Sequence, residues 1–135
     1  MRCPSDHSGH LSAIDLLRVR DSAARKIKEL ESESNATNIS APSIFEVFVG
    51  ISLTEKTSSE KKRIMDVLES WGTLVLDSEC AALGGRIHGQ LIEEGQMIDP
   101  EDSMIAGIVI INNETLLTRN DKHFSRVPGL KIETY

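Results

Sequence analysis

Apolar residues return at helical intervals in several long stretches of the chain, and short apolar runs fall between those stretches. Ile14, Leu17, Ala24, Ile27 and Leu30 share the spacing of one helix face, with charge on the other faces, and predict an amphipathic helix over 13–30. A polar segment, 31–37, leads to a short extended piece at 38–40 and a second helix opened by Pro42, with Ser40 as its cap. Ile44, Phe45, Phe48 and Ile51 are the expected buried stripe of that helix, and Gly50 lies near its end. The tetrad Thr57-Ser-Ser-Glu60 has the spacing of a capping box, so a third helix carries Ile64, Met65, Leu68 and Trp71 to a stop at Gly72.

Residues 73–77 read as a short buried strand, and Ser78 opens a helix through Ala81, Ile87, Leu91 and Ile92 that Gly95 ends. Asp99-Pro100 opens the next helix, with Asp at the cap and Pro at the first helical position. The run 105–111 suits a buried strand by its β-branched content and a buried helix by its continuity with that cap; a helix is the expectation. Asn112-Asn113 signals a turn before a strand at 115–118, and 131–135 reads as the last strand. Short strands alternating with helices predict an α/β chain folded as a three-layer α/β/α sandwich around a mainly parallel sheet.

Composition narrows the function. With 135 residues, 39% hydrophobic, 27% charged, nine Gly and four Pro, the chain suits one globular domain over 1–135 and neither a disordered nor a fibrous one. Its longest apolar run, 105–111, is far short of the ~20 residues needed to cross a bilayer. The opening MRCPSDHSGHL lacks the apolar core of a secretory signal, so the expectation is a cytoplasmic protein with no membrane partner. Cys3 and Cys80 belong to no CxxC or Cys/His metal spacing and read as reduced thiols, and the glycosylation triplets at Asn35, Asn38 and Asn113 read as accidental. Fifteen Lys and Arg against 21 Asp and Glu give a net charge of −6, which disfavours indiscriminate attraction to phosphate backbones and leaves only local contact with nucleic acid.

In an open parallel sheet, sites gather at the carboxyl ends of the strands. Glu46 follows the extended piece at 38–40, Asp102 lies in the first turn after Asp99-Pro100, and Asp121 follows the strand at 115–118; Asp6 joins them if a strand precedes it. Carboxylates so gathered repel one another unless a cation neutralises them, and hard oxygen donors suit Mg²⁺ or Mn²⁺. Such an ion activates water and stabilises charge on a phosphoryl oxygen, as phosphodiester hydrolysis requires. Arg119, Lys122 and Arg126 offer local positive charge for phosphates. Each acid also has a plainer explanation: Asp102 favours the helix dipole, and Glu46 faces solvent from its apolar stretch. His7, His10, His88 and His123 form no HxxxH or HExxH and read as surface groups or as supports of a site. Gly84-Gly85 has no phosphate-loop spacing, and Phe45, Phe48 and Trp71 fall on apolar stripes and not on a base-stacking platform.

Four pieces in order carry a resemblance. Ala13-Ile-Asp-Leu-Leu-Arg18, Ser40-Ala-Pro-Ser-Ile-Phe-Glu46-Val-Phe-Val-Gly, Ile98-Asp-Pro-Glu-Asp102-Ser-Met-Ile-Ala-Gly-Ile and Leu116-Leu-Thr118-Arg-Asn-Asp121-Lys-His-Phe124 with Pro128-Gly-Leu resemble PIN-domain ribonucleases, specifically VapC-type toxins, from Ser12 to Tyr135. The resemblance implies that Glu46 and Asp102 are the second and third metal-binding acids. Asn120 and Asp121 both offer themselves at the fourth position, with Asp121 preferred and Asn120 assisting, and Thr118 orients the metal or phosphate. It implies an RNA substrate, a homodimer and an inhibiting antitoxin protein, for which the apolar helices 44–51 and 14–17 offer contact. Segment 1–11 departs from the pattern, which begins with an apolar strand ending in Asp; Asp6 is the candidate there after a small shift, and Asp15 matches a structural position. The rival class is a catalytically inactive PIN-like module that binds RNA or protein. A receiver-like phosphoacceptor would need a Lys ending the strand at 115–118, which is missing.

Overall fold

The structure, a computed structural model, describes residues 9–11, 38–53, 55 and 57–134. The helix expected over 13–30, along with Asp6 and Asp15, lies outside the described residues. The elements run β1 (Gly9–Leu11), β2 (Asn38–Ser40), α1 (Ala41–Leu53), α2 (Ser58–Glu69), β3 (Gly72–Leu74), α3 (Ser78–Glu93), α4 (Pro100–Ile111), β4 (Thr115–Leu117), α5 (Asp121–Phe124) and β5 (Ile132–Glu133). No helix among the described residues is long and apolar enough to cross a membrane.

Every described strand pairing is parallel. β1 pairs with β4, with His10 opposite Leu116, β4 pairs with β5, and β2 pairs with β3, with Ile39 opposite Thr73. The two ladders meet where β1 and β2 lie side by side, so the strands follow one another as β3-β2-β1-β4-β5. β1 lies in the segment that lacks the apolar strand ending in Asp, and its three residues, none of them Asp, pair with β4 through a ladder of backbone N–H and C=O groups. The expected strand at 73–77 is shorter, because Asp77 leaves the strand to cap α3, accepting from the Cys80 N–H at 2.9 Å.

The sheet divides the core through the alternation of β4. Leu117 joins Ile39, Val47, Ile64 and Trp71, while Leu116 points the other way to Ile105, Val109 and Phe124. Thus α1 and α2 cover one face and α4 the other, with α3 packed on α4 through Leu91, Ile98 and Ala106 and through Cys80 and Ile108. This is the three-layer sandwich expected from the order of elements. The run 105–111 is helical, and its Ile105 to Val109 are buried because α4 is enclosed by the sheet on one side and α3 on the other.

Both of these helices end in the same way. Gly95, at φ 69°, lets Gln96 N–H reach Leu91 O at 2.8 Å, and Asn113, at φ 52°, lets Glu114 N–H reach Val109 O at 3.0 Å. Between the two helices the backbones touch at a pair of glycines. A Cβ on Gly107 would stand 2.5 Å from Cys80 O and 2.8 Å from Gly84 N. Gly84-Gly85 therefore serves packing, with Gly84 as the contact and Gly85 facing open space.

α1 departs from its expected stripe. Its buried side is Pro42, Ser43 and Val47, flanked by half-buried Ile44 and Ile51, whereas Phe45 and Phe48 are 63% and 44% exposed. Almost every position in this helix is apolar, so no polar face tells the sequence reader which side turns inward.

Candidate metal centre

The carboxyl end of β2 runs directly into α1, and the Ser40 hydroxyl caps that helix, accepting from the Ser43 N–H at 3.4 Å and donating to Ser43 Oγ at 2.9 Å. Glu46 stands half-buried in the second turn. Burial pushes its carboxyl from the ordinary 4.5 up to about 7, and the neighbouring Glu101, Asp102 and Asp99 push in the same direction. These three acids come from the start of α4, so the structure brings Glu46 and Asp102 to one corner.

Asp99 occupies the cap position of α4 yet makes no capping hydrogen bond with its side chain. Its carboxylate instead groups with Asp102 and His123, one ligand-capable atom of each lying within 4.8 Å of the others. Burial raises the Asp102 carboxyl, opposed by a hydrogen bond with His123 and reinforced by the charge of Asp99. From the carboxyl end of β4, the fully buried Thr118 hydroxyl accepts from the Asn120 N–H at 2.9 Å and fixes the turn into α5. That turn sends the Asn120 amide to Asp102 Oδ2 at 3.4 Å and puts His123 Nδ1 3.3 Å from the same oxygen.

Asp121 is exposed at the start of α5, outside the grouping of Asp99, Asp102 and His123; the side chains that reach Asp102 from this turn are Asn120 and His123. Asp6 lies outside the described residues. Of the basic residues beside the corner, Lys122 is exposed, Arg119 is half-buried, and Arg126 donates to Met97 O at 3.1 Å, tying the loop before α4 to the end of α5.

Sequence reasoning passed over Asp99, whose cap position gave it a sufficient local role, and treated His123 as a surface or supporting group. Their spacing was the available signal: Asp99 and Asp102, like Asn120 and His123, stand three residues apart, which brings side chains to one side of a turn. The donor set, carboxylates on three positions with an imidazole and an amide at the edge, fits a divalent cation of the hard or borderline kind. Glu46 supplies the physical test of that fit. Its carboxyl is raised first by burial and then by neighbouring acids, and a cation that offsets those charges favours loss of its proton.

Comparison with known proteins gives the family of the chain. The PIN domain family model matches residues 12–130. The chain is 28% identical to the ribonuclease VapC2 of Rickettsia felis over 107 residues, 79% of this chain and 80% of that protein. It is 32% identical to the ribonuclease VapC1 of Methanocaldococcus jannaschii over 111 residues, 80% and 75% of the two chains. Among solved structures, VapBC2 of R. felis bound to a DNA fragment from its promoter superposes with a TM-score of 0.79 and 25% identity, covering 95% of this chain and 98% of that one.

Proposed function

We propose that this chain, which belongs to the PIN-domain family, is a metal-dependent endoribonuclease, the cytoplasmic toxin of a toxin–antitoxin pair. The observation that carries this is the grouping of Asp99 and Asp102 with His123 and Asn120 beyond the carboxyl end of β4, with half-buried Glu46 near enough to feel the charge of those acids. Relatives named as ribonucleases, and a structural neighbour that is a VapBC complex, support RNA as the substrate and an antitoxin protein as the partner.

Glu46 and Asp102 are the proposed principal holders of Mg²⁺ or Mn²⁺, with Asp99 beside them and Asp6, by the family pattern, as the N-terminal acid. When bound, the cation supplies an activated water and neutralises charge on the scissile phosphate. The chain's own contribution is to keep these acids together despite their repulsion. Thr118 fixes the backbone from which Asn120 steadies Asp102, while Lys122 and Arg119 draw the RNA backbone toward an otherwise acidic molecule. Asp121, at the exposed rim, is proposed as an outer group at the fourth position. The outer face of α1, where Phe45, Phe48, Val49 and Leu53 are exposed, is the proposed antitoxin contact.

The test is cleavage of structured RNA by the purified chain with Mg²⁺ or Mn²⁺. Cutting should stop with a chelator, return on adding metal, and fall at least about a hundredfold in Glu46→Gln, a loss at the upper end of those caused by changes around a metal. RNA binding without metal-dependent cutting would instead identify an inactive module.

A further inference from the structure

The first turn of α4, which carries Asp102, is also held from α3, away from the turn after β4. On α3, His88 puts its Nδ1 2.8 Å from the hydroxyl of Ser103, the residue that follows Asp102. Ser103 is 2% exposed, and among the described residues His88 is the hydrogen-bond partner of its hydroxyl. One turn earlier on α3 the backbones meet: a Cβ on Gly84 would stand 2.9 Å from Ser103 O and 3.3 Å from Met104 Cα. Thus α3 grips Ser103 by main chain and side chain together. A buried O–H needs an acceptor, and His88 supplies one only when Nδ1 is bare and the ring carries its proton on Nε2.

The competing acceptor lies beside the acids. A serine hydroxyl inside a helix otherwise bonds the carbonyl four residues back, which weakens and bends the helix. For Ser103 that carbonyl is Asp99 O, and it already accepts from the Asp102 N–H at 3.0 Å and the Ser103 N–H at 3.2 Å. Those two bonds close the turn that brings the carboxylates of Asp99 and Asp102 together. We infer that His88 is a positioning residue of the proposed metal centre: by taking the Ser103 hydroxyl it keeps that donor off Asp99 O, and so holds the two carboxylates at the spacing a cation requires. The inference rests on the proposed metal-dependent activity and adds to it a residue that acts from the neighbouring helix.

The experiment uses the full chain, free of any histidine tag. Titration calorimetry with Mn²⁺ should show binding about tenfold weaker in His88→Leu, within the range for residues that support metal ligands. For RNA cleavage at a fixed, limiting Mn²⁺ concentration, kcat should fall in that variant while KM stays as in wild type. His88→Asn, whose amide oxygen can accept in place of Nδ1, should bind Mn²⁺ as wild type does. The double variant His88→Leu/Ser103→Ala should regain most of the lost affinity, since no hydroxyl is left to reach Asp99 O. Loss of a plain strut between helices would persist there. ¹⁵N NMR of wild type at pH 8 should show His88 protonated on Nε2 and bare on Nδ1, a reading that needs no variant to fold. Undiminished Mn²⁺ affinity in folded His88→Leu, a loss unrelieved in the double variant, or a proton on Nδ1 overturns the positioning role and leaves the nuclease proposal standing. Wild type that neither binds Mn²⁺ nor cuts RNA overturns both.

Discussion

At the scale of single residues, Glu46 sets the terms on which the protein is stable. In the metal-free fold its carboxyl holds a proton up to about pH 7, whereas in the unfolded chain it gives that proton up near 4.5. Between those values the folded state binds more protons than the unfolded one, so stability falls as pH rises through this window. The side chain is only half-buried and solvent screens the effect, so the loss is trimmed to about 1–2 kcal/mol. Thermal melts of metal-free protein from pH 4.5 to 8 should show the decline, and Mn²⁺ at pH 8 should reverse it. Glu46→Gln should flatten the pH slope and melt higher than wild type at pH 8 while failing to cut RNA. The sequence made Glu46 conspicuous, as a carboxylate inside an apolar stretch, and Asp102 by its place in the first turn after Asp99-Pro100. It left His123 obscure, because the contact that gives this residue meaning joins positions 21 apart along the chain, and no local pattern reports such a meeting.

At the scale of elements, the glycine contact between α3 and α4 fixes where Asp102 sits. Gly107→Ala would push a methyl group into backbone atoms of Cys80 and Gly84, which cannot swing aside as a side chain could. Despite alanine's better helix propensity, urea unfolding should show a loss of about 1–3 kcal/mol, the usual cost of overpacking. Gly89→Ala is the control: it lies in α3 with open space around the added carbon, and the same measurement should show a gain of about 0.5–1 kcal/mol. Helix boundaries were legible because caps are local chemistry, as at Thr57, whose hydroxyl accepts from the Glu60 N–H at 3.2 Å, and at Gly95. The inward side of α1 was not legible. Ser43 and Val47 face the core and Phe45 the solvent because of where β2 and β4 lie, and a helix apolar on nearly all sides holds no record of that.

At the scale of the whole molecule, the layered architecture followed from alternating strands and helices, whereas the strand order depended on β1, three residues paired in parallel with β4. The exposed apolar side of α1 belongs to this scale too, because its use is proposed to lie in another protein. Replacing Phe45 and Phe48 together by Ser should leave unfolding stability within about 0.5 kcal/mol, as for other surface changes. Affinity for the antitoxin, measured by calorimetry, should fall about tenfold or more, as when anchoring aromatics leave an interface. Cleavage by the free chain should persist.

The acidic corner draws on α1, on the start of α4 and on the turn after β4, stretches separated by most of the chain's length. A ribosome must therefore deliver the turn after β4 before the proposed corner can be whole. Until then the nascent polypeptide lacks the side chains of Asn120 and His123 that reach Asp102.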